Sequence, residues 1–497
     1  MKIQLILAPP FTKHKHGELS ERIAPPLGIL YLSAYLRENM KGIELSVVDG
    51  QLEGFDGTIS KINTFGPDIL GISAHTLVAN GAYEVAKRIK KEHPQTLVIM
   101  GGSHCTAVPE DVIRKSGADL VCIGEGERTM LAVSQAFNSK NGKKSDIDFS
   151  QIDGLAYSRM GQVVYTNARQ FIENIDTIPF PARDLINLKD YSGWYITKRL
   201  PETRIMSSRG CPFHCTFCSC AVWKSSKPAT RFRSPKNVVD EIEQLMSDYG
   251  IREFGDDCDE FNCNINNASE ICKEIIRRRL DIPWRTQVRA YPLPDDFVRL
   301  LSESGCWQVH MGIESANEET LKGIGKNITL QQVEQGCQML RKYNIEVVGM
   351  FMLYNAWEEA GRLCYEDTKK TEQTMKYALS LHKKGLINQF MWGPTNPYPG
   401  SKLFEIARRH KLIKEGLLDD WEAWRRDELY AMKLPGIDVV EQTRMRTKGQ
   451  YLKLKHLLLS KGKFNIRDWK YFMEKGLRII KDEIHARKER KKNRKFV

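Results

Sequence analysis

Through the first 140 residues, short apolar runs alternate with longer stretches in which apolar positions recur every three or four residues. Residues 3–7, 45–48, 69–73, 97–100 and 120–123 read as buried strands, and residues 27–37 and 79–92 as helices. The second helix is expected to stop before Pro94, because the residue preceding a proline avoids helical backbone angles. Such alternation predicts a parallel sheet that binds its ligand at the carboxyl ends of its strands.

The pattern breaks near residue 140. Asn138 to Asp148 carries almost no large apolar side chain, and Ile178-Pro179-Phe180-Pro181 reads as an extended connector, so residues 141–200 are expected to form a linker. Alternation resumes near Arg204, with strands expected at 204–207, 252–255, 284–288, 308–312, 347–352 and 389–392. Six strands with intervening helices over residues 201–400 predict a partial or full α/β barrel. Residues 401–497 read as mostly helical and carry no nameable chemical motif. No repeat at solenoid periods is visible.

Composition narrows the class. At 497 residues and 41% hydrophobic content, two or three domains with large cores are expected. No run approaches the roughly 18–20 apolar residues of a membrane span, and the opening segment is too short for a secretory core. Twelve cysteines without an export signal are expected to be reduced thiols or metal ligands, which places the protein in the cytoplasm. The net charge of +13 is concentrated at Arg487, Lys488, Arg490, Lys491, Lys492, Arg494 and Lys495. Such a tail can bind nucleic acid or acidic headgroups, although a solvated helix end is the commoner fate of a charge run.

The strongest chemical signal is Cys211-Pro212-Phe213-His214-Cys215-Thr216-Phe217-Cys218, directly after a strand and the turn residues Ser208-Arg209-Gly210. Three thiolates on one tight loop can reach three corners of an iron–sulfur cube and leave the fourth iron open. Random placement of the cysteines would give this spacing roughly 0.007 times. Structural zinc is the alternative, but it usually takes four ligands in paired short spacings. Cys220 lies so close to Cys218 that it is expected to pack against the loop.

This motif resembles that of the radical S-adenosylmethionine (SAM) superfamily. The resemblance implies a 4Fe–4S cluster on Cys211, Cys215 and Cys218 whose open iron chelates SAM, and reductive cleavage to a 5′-deoxyadenosyl radical. It further implies that Phe217 lies near the adenine, that Gly255 and Asp256 meet the amino group, that Arg289 pairs with the carboxylate, and that Glu314 and Ser315 hold the ribose. Asn396-Pro397-Tyr398-Pro399-Gly400-Ser401 resembles a late-barrel loop of the family, whereas Asn355-Ala356-Trp357-Glu358-Glu359 departs from its usual Gly-x-Pro-Gly-Glu-Thr. An external one-electron reductant such as flavodoxin or ferredoxin and a small-molecule substrate are implied as partners.

The amino-terminal third resembles the doubly wound, Rossmann-like cobalamin-binding domain that precedes the barrel in one large subgroup. The matching segments are Pro25-Pro26-Leu27-Gly28, Gly71-Ile72-Ser73, Gly101-Gly102-Ser103-His104 and Gly124-Glu125-Gly126-Glu127. Cofactor contacts are thereby expected at Ser73, Gly101, Gly102, His104, Gly124, Glu125 and Glu127, where strand-end glycines permit close backbone approach. His14 and His16 lack the Asp-x-His-x-x-Gly frame of many cobalamin carriers, so no histidine is expected beneath the cobalt.

The resemblance implies methylation of an unreactive carbon, or less often phosphorus, centre. One SAM methylates reduced cobalamin, a second supplies the radical that abstracts hydrogen, and the substrate radical captures the methyl group. The same cofactors also serve ring formation or oxidation without methyl transfer. An RNA methylthiotransferase would need a second cluster, yet only Cys105 and Cys122 precede the linker. A non-catalytic carrier would need four protein ligands.

Overall fold

The computed structural model describes residues 1–11, 24–191, 197–224, 227–425, 431–438 and most positions from 440 to 452. His14, His16 and the basic run at 487–495 lie outside the described residues, as does most of the helical stretch expected to end the chain.

The first unit alternates strand and helix: β1 (Lys2–Leu7), α1 (Leu27–Asn39), β2 (Glu44–Asp49), α2 (Gly50–Phe65), β3 (Ile69–Ser73), α3 (Ala79–Glu92), β4 (Leu97–Gly101), α4 (Ser103–Ala107), α5 (Pro109–Ser116), β5 (Leu120–Cys122) and α6 (Glu127–Ser139). Strands β1 to β5 pair in parallel in the order β2-β1-β3-β4-β5. Because successive side chains point to opposite faces, Ile6, Leu70, Ile72, Val98 and Met100 pack with Ala82, Val85 and Ile89 of α3. Ile3, Leu5, Ile69, Leu97 and Ile99 instead meet Ile29 and Leu36 of α1 and Met130 and Val133 of α6. These two cores make the unit doubly wound, as its near-continuous apolar strands require.

The linker expectation needs correction. Within 141–200, β6 (Leu155–Arg159) and β7 (Gln162–Tyr165) form a hairpin that extends the first sheet antiparallel beside β5. Met160 and Gly161 turn it with φ of 50° and 80°, the backbone of a tight hairpin. Farther on, Arg183 is buried and donates to Glu241 Oε1 at 2.6 Å, so this stretch is docked on the second unit.

That unit comprises β8 (Glu202–Ile205), β9 (Ser208–Arg209), β10 (Arg231–Phe232), α7 (Pro235–Tyr249), β11 (Glu253–Asp256), α8 (Ile265–Arg277), β12 (Trp284–Val288), α9 (Asp295–Glu303), β13 (Cys306–Glu314), α10 (Glu318–Gly323), α11 (Leu330–Lys342), β14 (Glu346–Leu353), β15 (Ala356–Glu359), β16 (Arg362–Tyr365), α12 (Thr368–Lys383), β17 (Gln389–Pro394) and α13 (Lys402–Arg409). Six parallel strands follow one another as β8-β11-β12-β13-β14-β17, with β8 and β17 at the edges, which is a partial (β/α)6 barrel. Local signals set the elements. Ser234 caps α7 by accepting from Asn237 N–H, Pro235 opens it, and Gly250 closes it in the left-handed region. Where the sequence departs from the family's fifth-strand loop, β15 and β16 form a second hairpin. Among the described residues no helix is long and apolar enough to cross a membrane.

Beyond α13 the chain returns to the first unit. Leu417, Trp421 and Trp424 join the core around α3, Asn80 Nδ2 donates to Asp420 at 2.7 Å, and Trp421 Nε1 donates to Asp111 at 2.9 Å.

Candidate active site

A backbone constraint starts the cysteine loop. Gly210 has φ of 83°, and a Cβ there would stand 1.9 Å from the Ala229 carbonyl oxygen, so a side chain is excluded. The loop is then held from several sides. Thr216 N–H donates to Ile324 O at 2.8 Å, Leu403 N–H donates to Thr216 O at 2.8 Å, and Lys224 Nζ donates to Phe213 O. Cys211, Cys215 and Cys218 are free thiols and partly exposed. Burial pushes the Cys211 thiol up to about 11, whereas a hydrogen bond from Cys220 brings Cys218 down to about 7. The Cys220 sulfur also lies 3.0 Å from Asp259 Oδ1, at the loop's flank. Three soft donors on one short loop fit an iron–sulfur cube with one iron lacking a protein ligand. Among the described residues no three or more His, Cys, Asp or Glu side chains gather as a single-ion site would.

Charges surround these thiols. Arg289 is buried, with its guanidinium 4.0 Å from the centroid of the Phe213 ring. Glu314 ends β13 after a register shift, with φ of 67°, and accepts from Lys326 Nζ at 3.1 Å. Lys326, Arg289 and Glu314 all act electrostatically on Cys215. Burial pushes the Glu260 carboxyl up to about 7 against the opposing pull of Lys326 and Arg289. Two cations and two carboxylates beside the thiols suit the amino and carboxylate groups of an amino acid. The sequence reading singled out neither Glu260 nor Lys326. An acidic residue five positions after Gly255 was the available sign of the first, and nothing marked the second.

Other expected contacts turn toward the scaffold. Asp256 is buried and accepts from Ser207 N–H at 3.0 Å, from Ser207 Oγ at 2.5 Å and from Cys258 N–H at 3.2 Å. Gly255 is needed for space, since a Cβ would stand 2.2 Å from the Arg204 guanidinium. Ser315 is buried and donates to Glu366 at 2.5 Å. Phe217 packs partly buried between two hydrophobic cores.

The two units enclose a cavity of about 310 Å³. Ser73, Gly101, Gly102, Gly124, Glu125 and Glu127 line it from the first sheet's carboxyl edge, and Ser208, Arg209, Gly210, Arg231, Asp257 and Asp259 from the barrel. That volume lies at the lower end of the range usual for small-ligand sites. Gly102 has φ of 97°, and a Cβ there would stand 2.7 Å from Ala74 O, which keeps this wall bare. Small residues and exposed backbone along this wall fit the face of a large flat cofactor such as cobalamin.

His104, expected at the ligand edge, is a correction. It does not line the cavity but is buried, with Nε2 2.7 Å from Tyr83 Oη, Nδ1 3.3 Å from Thr76 Oγ1, and Trp421 packed edge-on. Burial lowers its pKa to about 3, so the ring stays neutral. The turn from β4 into α4 carries the ring behind the sheet edge while Gly101 and Gly102 remain at the cavity.

Comparison with known proteins defines the class. Residues 19–134 match the B12 binding domain model and residues 205–363 the radical SAM superfamily model. An uncharacterized methyltransferase of Pyrococcus horikoshii is 33% identical over 416 residues, covering 83% of this chain and 84% of the relative. The chain belongs to the cobalamin-dependent radical SAM methyltransferase family, and its cofactors are a 4Fe–4S cluster, SAM and cobalamin. The anaerobic magnesium-protoporphyrin IX monomethyl ester cyclase of Rubrivivax gelatinosus is 28% identical, covering 77% of this chain and 66% of the relative. Cytidylyl-2-hydroxyethylphosphonate methyltransferase of Streptomyces wedmorensis is 27% identical, covering 70% and 72%. Among solved structures, the radical SAM enzyme OxsB with aqua-cobalamin and SAM bound aligns over 98% of this chain and 71% of its own, with TM-score 0.70 and 16% identity. The methyltransferase TsrM of Kitasatospora setae aligns over 82% and 76%, with TM-score 0.63 and 20% identity.

Proposed function

We propose that this enzyme methylates an unactivated carbon, or less often phosphorus, centre of a small organic molecule held between the cysteine loop and the shared cavity. The observation that carries this reading is the common cavity, walled by the small strand-end residues of one unit and by the segment leading into Cys211 of the other. When bound, cobalamin supplies a transferable methyl group, and the cluster with SAM supplies a radical that removes hydrogen.

The chain's own residues then have distinct tasks. Cys211, Cys215 and Cys218 would hold the cluster; Arg289 and Lys326 would meet the SAM carboxylate, and Glu260 its amino group, where Glu314, expected at the ribose, would join it. Ser73, Gly101, Gly102 and Gly124 take the corrin edge. Asp257 and Asp259 face the same cavity from the barrel and orient the substrate. Electrons come from an external carrier of flavodoxin or ferredoxin type, and a reducing cytoplasm protects the exposed thiols.

Anaerobic turnover of a small-metabolite extract with methyl-labelled SAM tests this. A labelled product, with 5′-deoxyadenosine formed alongside it, is expected. The resemblance to a cyclase at 28% identity favours a second reading, ring formation without methyl transfer. A consumed substrate whose product carries no label would establish that reading and overturn the first. Cys105 and Cys122 are both buried in packed cores, which argues against the extra cluster of an RNA methylthiotransferase.

A further inference from the structure

We propose that Glu125, Glu127, Arg209 and Arg231 form an interdomain latch that sets the spacing between cobalamin and cluster, rather than recognising the cofactor itself. This rests on the shared cavity being the cobalamin site. Strand register supplies the geometry. Arg231 of β10 lies directly opposite Arg209 of β9, so both guanidinium groups leave this short ladder on one face and reach the first unit. Glu125 comes from the turn that follows β5, and Glu127 opens α6.

The contacts close on themselves. Arg231 grips Glu125 in bidentate fashion, Nη1 to Oε2 at 2.8 Å and Nη2 to Oε1 at 2.6 Å. Arg209 pairs with Glu127 at 2.8 Å and with Glu125 at 3.4 Å. Arg231 also donates to Ile172 O at 3.0 Å and lies over Phe171, while Arg209 lies over Tyr31. Two guanidinium groups and two carboxylates neutralise one another, and their side chains are at most 15% exposed.

All four residues border the cavity, yet their charges are spent across the domain boundary. Arg209 stands two positions before Cys211, so a shift of the latch displaces the cluster loop relative to the cavity wall. Losing one partner strands a buried charge and loosens the boundary. A bidentate guanidinium–carboxylate pair fixes orientation as well as distance, which a single ammonium contact does not.

The test uses the full chain reconstituted with iron and cobalamin, and reads the cob(II)alamin-to-reduced-cluster distance by pulsed EPR. Cobalamin affinity, iron content and amide exchange across residues 120–127 and 205–210 are measured on the same samples. For Glu127→Gln we expect retained iron and cobalamin, a broadened distance distribution and faster exchange at both segments, with Glu127→Asp restoring the wild-type signal. A cobalamin affinity weakened about tenfold or more with an unchanged distance distribution would identify a cofactor contact and overturn the latch. Unchanged affinity, distance and exchange would overturn it equally. Arg231→Lys, which keeps the charge but loses the fork, serves if Glu127→Gln does not fold and must broaden the distribution. A wild-type chain that binds cobalamin with no magnetic coupling to its cluster would overturn the cavity assignment itself, and the latch with it.

Discussion

The two parallel sheets end at one cavity but build their walls differently. At the first sheet's edge, apart from Glu125 and Glu127, which pair with Arg231 and Arg209, stand Ser73, Gly101, Gly102 and Gly124, small residues that expose backbone. At the barrel's edge stand Asp257 and Asp259, with Glu260, Arg289, Glu314 and Lys326 around the thiols. A macrocycle that carries its own functional groups needs space and a shaped wall. A chelated amino acid and a reacting substrate need charges, held by partners so that burial does not neutralise them. On the proposed assignment, one fold principle, ligands at the carboxyl ends of strands, serves two cofactors through opposite side-chain choices.

Substitutions can break that contrast, and the largest effect belongs on the barrel side. Cys215→Ala should leave less than a full cluster and reduce 5′-deoxyadenosine formation to background, while cobalamin still binds; iron analysis and chromatography of the reaction mixture check both.

The adjacent aspartates come next. Burial first, eased by Ser207, leaves Asp256 with a pKa raised from 3.8 to about 6. The folded state therefore holds that proton more tightly than the unfolded chain. Its stabilising effect is complete below the unfolded pKa and is lost as pH rises through the folded one. Wild type should lose about 2 kcal/mol relative to Asp256→Asn between about pH 4 and about pH 7, measured by denaturant unfolding. Asp257→Asn, whose side chain is 41% exposed and borders the cavity, should instead impair turnover.

On the first sheet, Gly102→Ala forces a side chain into a positive-φ position against Ala74, which costs about 2 kcal/mol. It should weaken cobalamin retention and leave iron content unchanged, as absorbance and metal analysis would show. The smallest effect at neutral pH belongs to His104→Phe. The His104 pKa falls from 6.5 to about 3 on burial, so its contribution is present above the unfolded pKa and is lost as pH falls toward the folded one. Wild type should lose about 2 kcal/mol by about pH 5 that the variant keeps, with no such difference above about pH 7. Equilibrium unfolding at the two pH values checks this.

Much of the fold was legible because the parallel strands of both sheets are buried on both faces and read as apolar runs between helical periods. The hairpin β6–β7 was missed because Gln162-Val163-Val164-Tyr165 is short and half polar, and its turn is Met-Gly rather than Asn-Gly. The thiol loop was legible from spacing alone. Individual contacts were not, because strand side chains alternate. Asp256 points into the scaffold and Asp257 into the cavity, and no sequence pattern separates two adjacent aspartates. Charge partners brought together by the fold, such as Glu314 with Lys326 and Glu125 with Arg231, lie too far apart in the chain for periodicity to reveal. His104 shows the converse, a residue marked by a conspicuous Gly-Gly-Ser-His run yet used to pack the returning carboxy-terminal stretch.

Mössbauer spectroscopy of the iron-57-reconstituted protein, before and after SAM is added, addresses the cluster most directly. One iron of each cube should change its isomer shift on addition while the other three stay as they were. A spectrum in which no iron responds, or a loop that retains zinc in place of iron, would contradict the account.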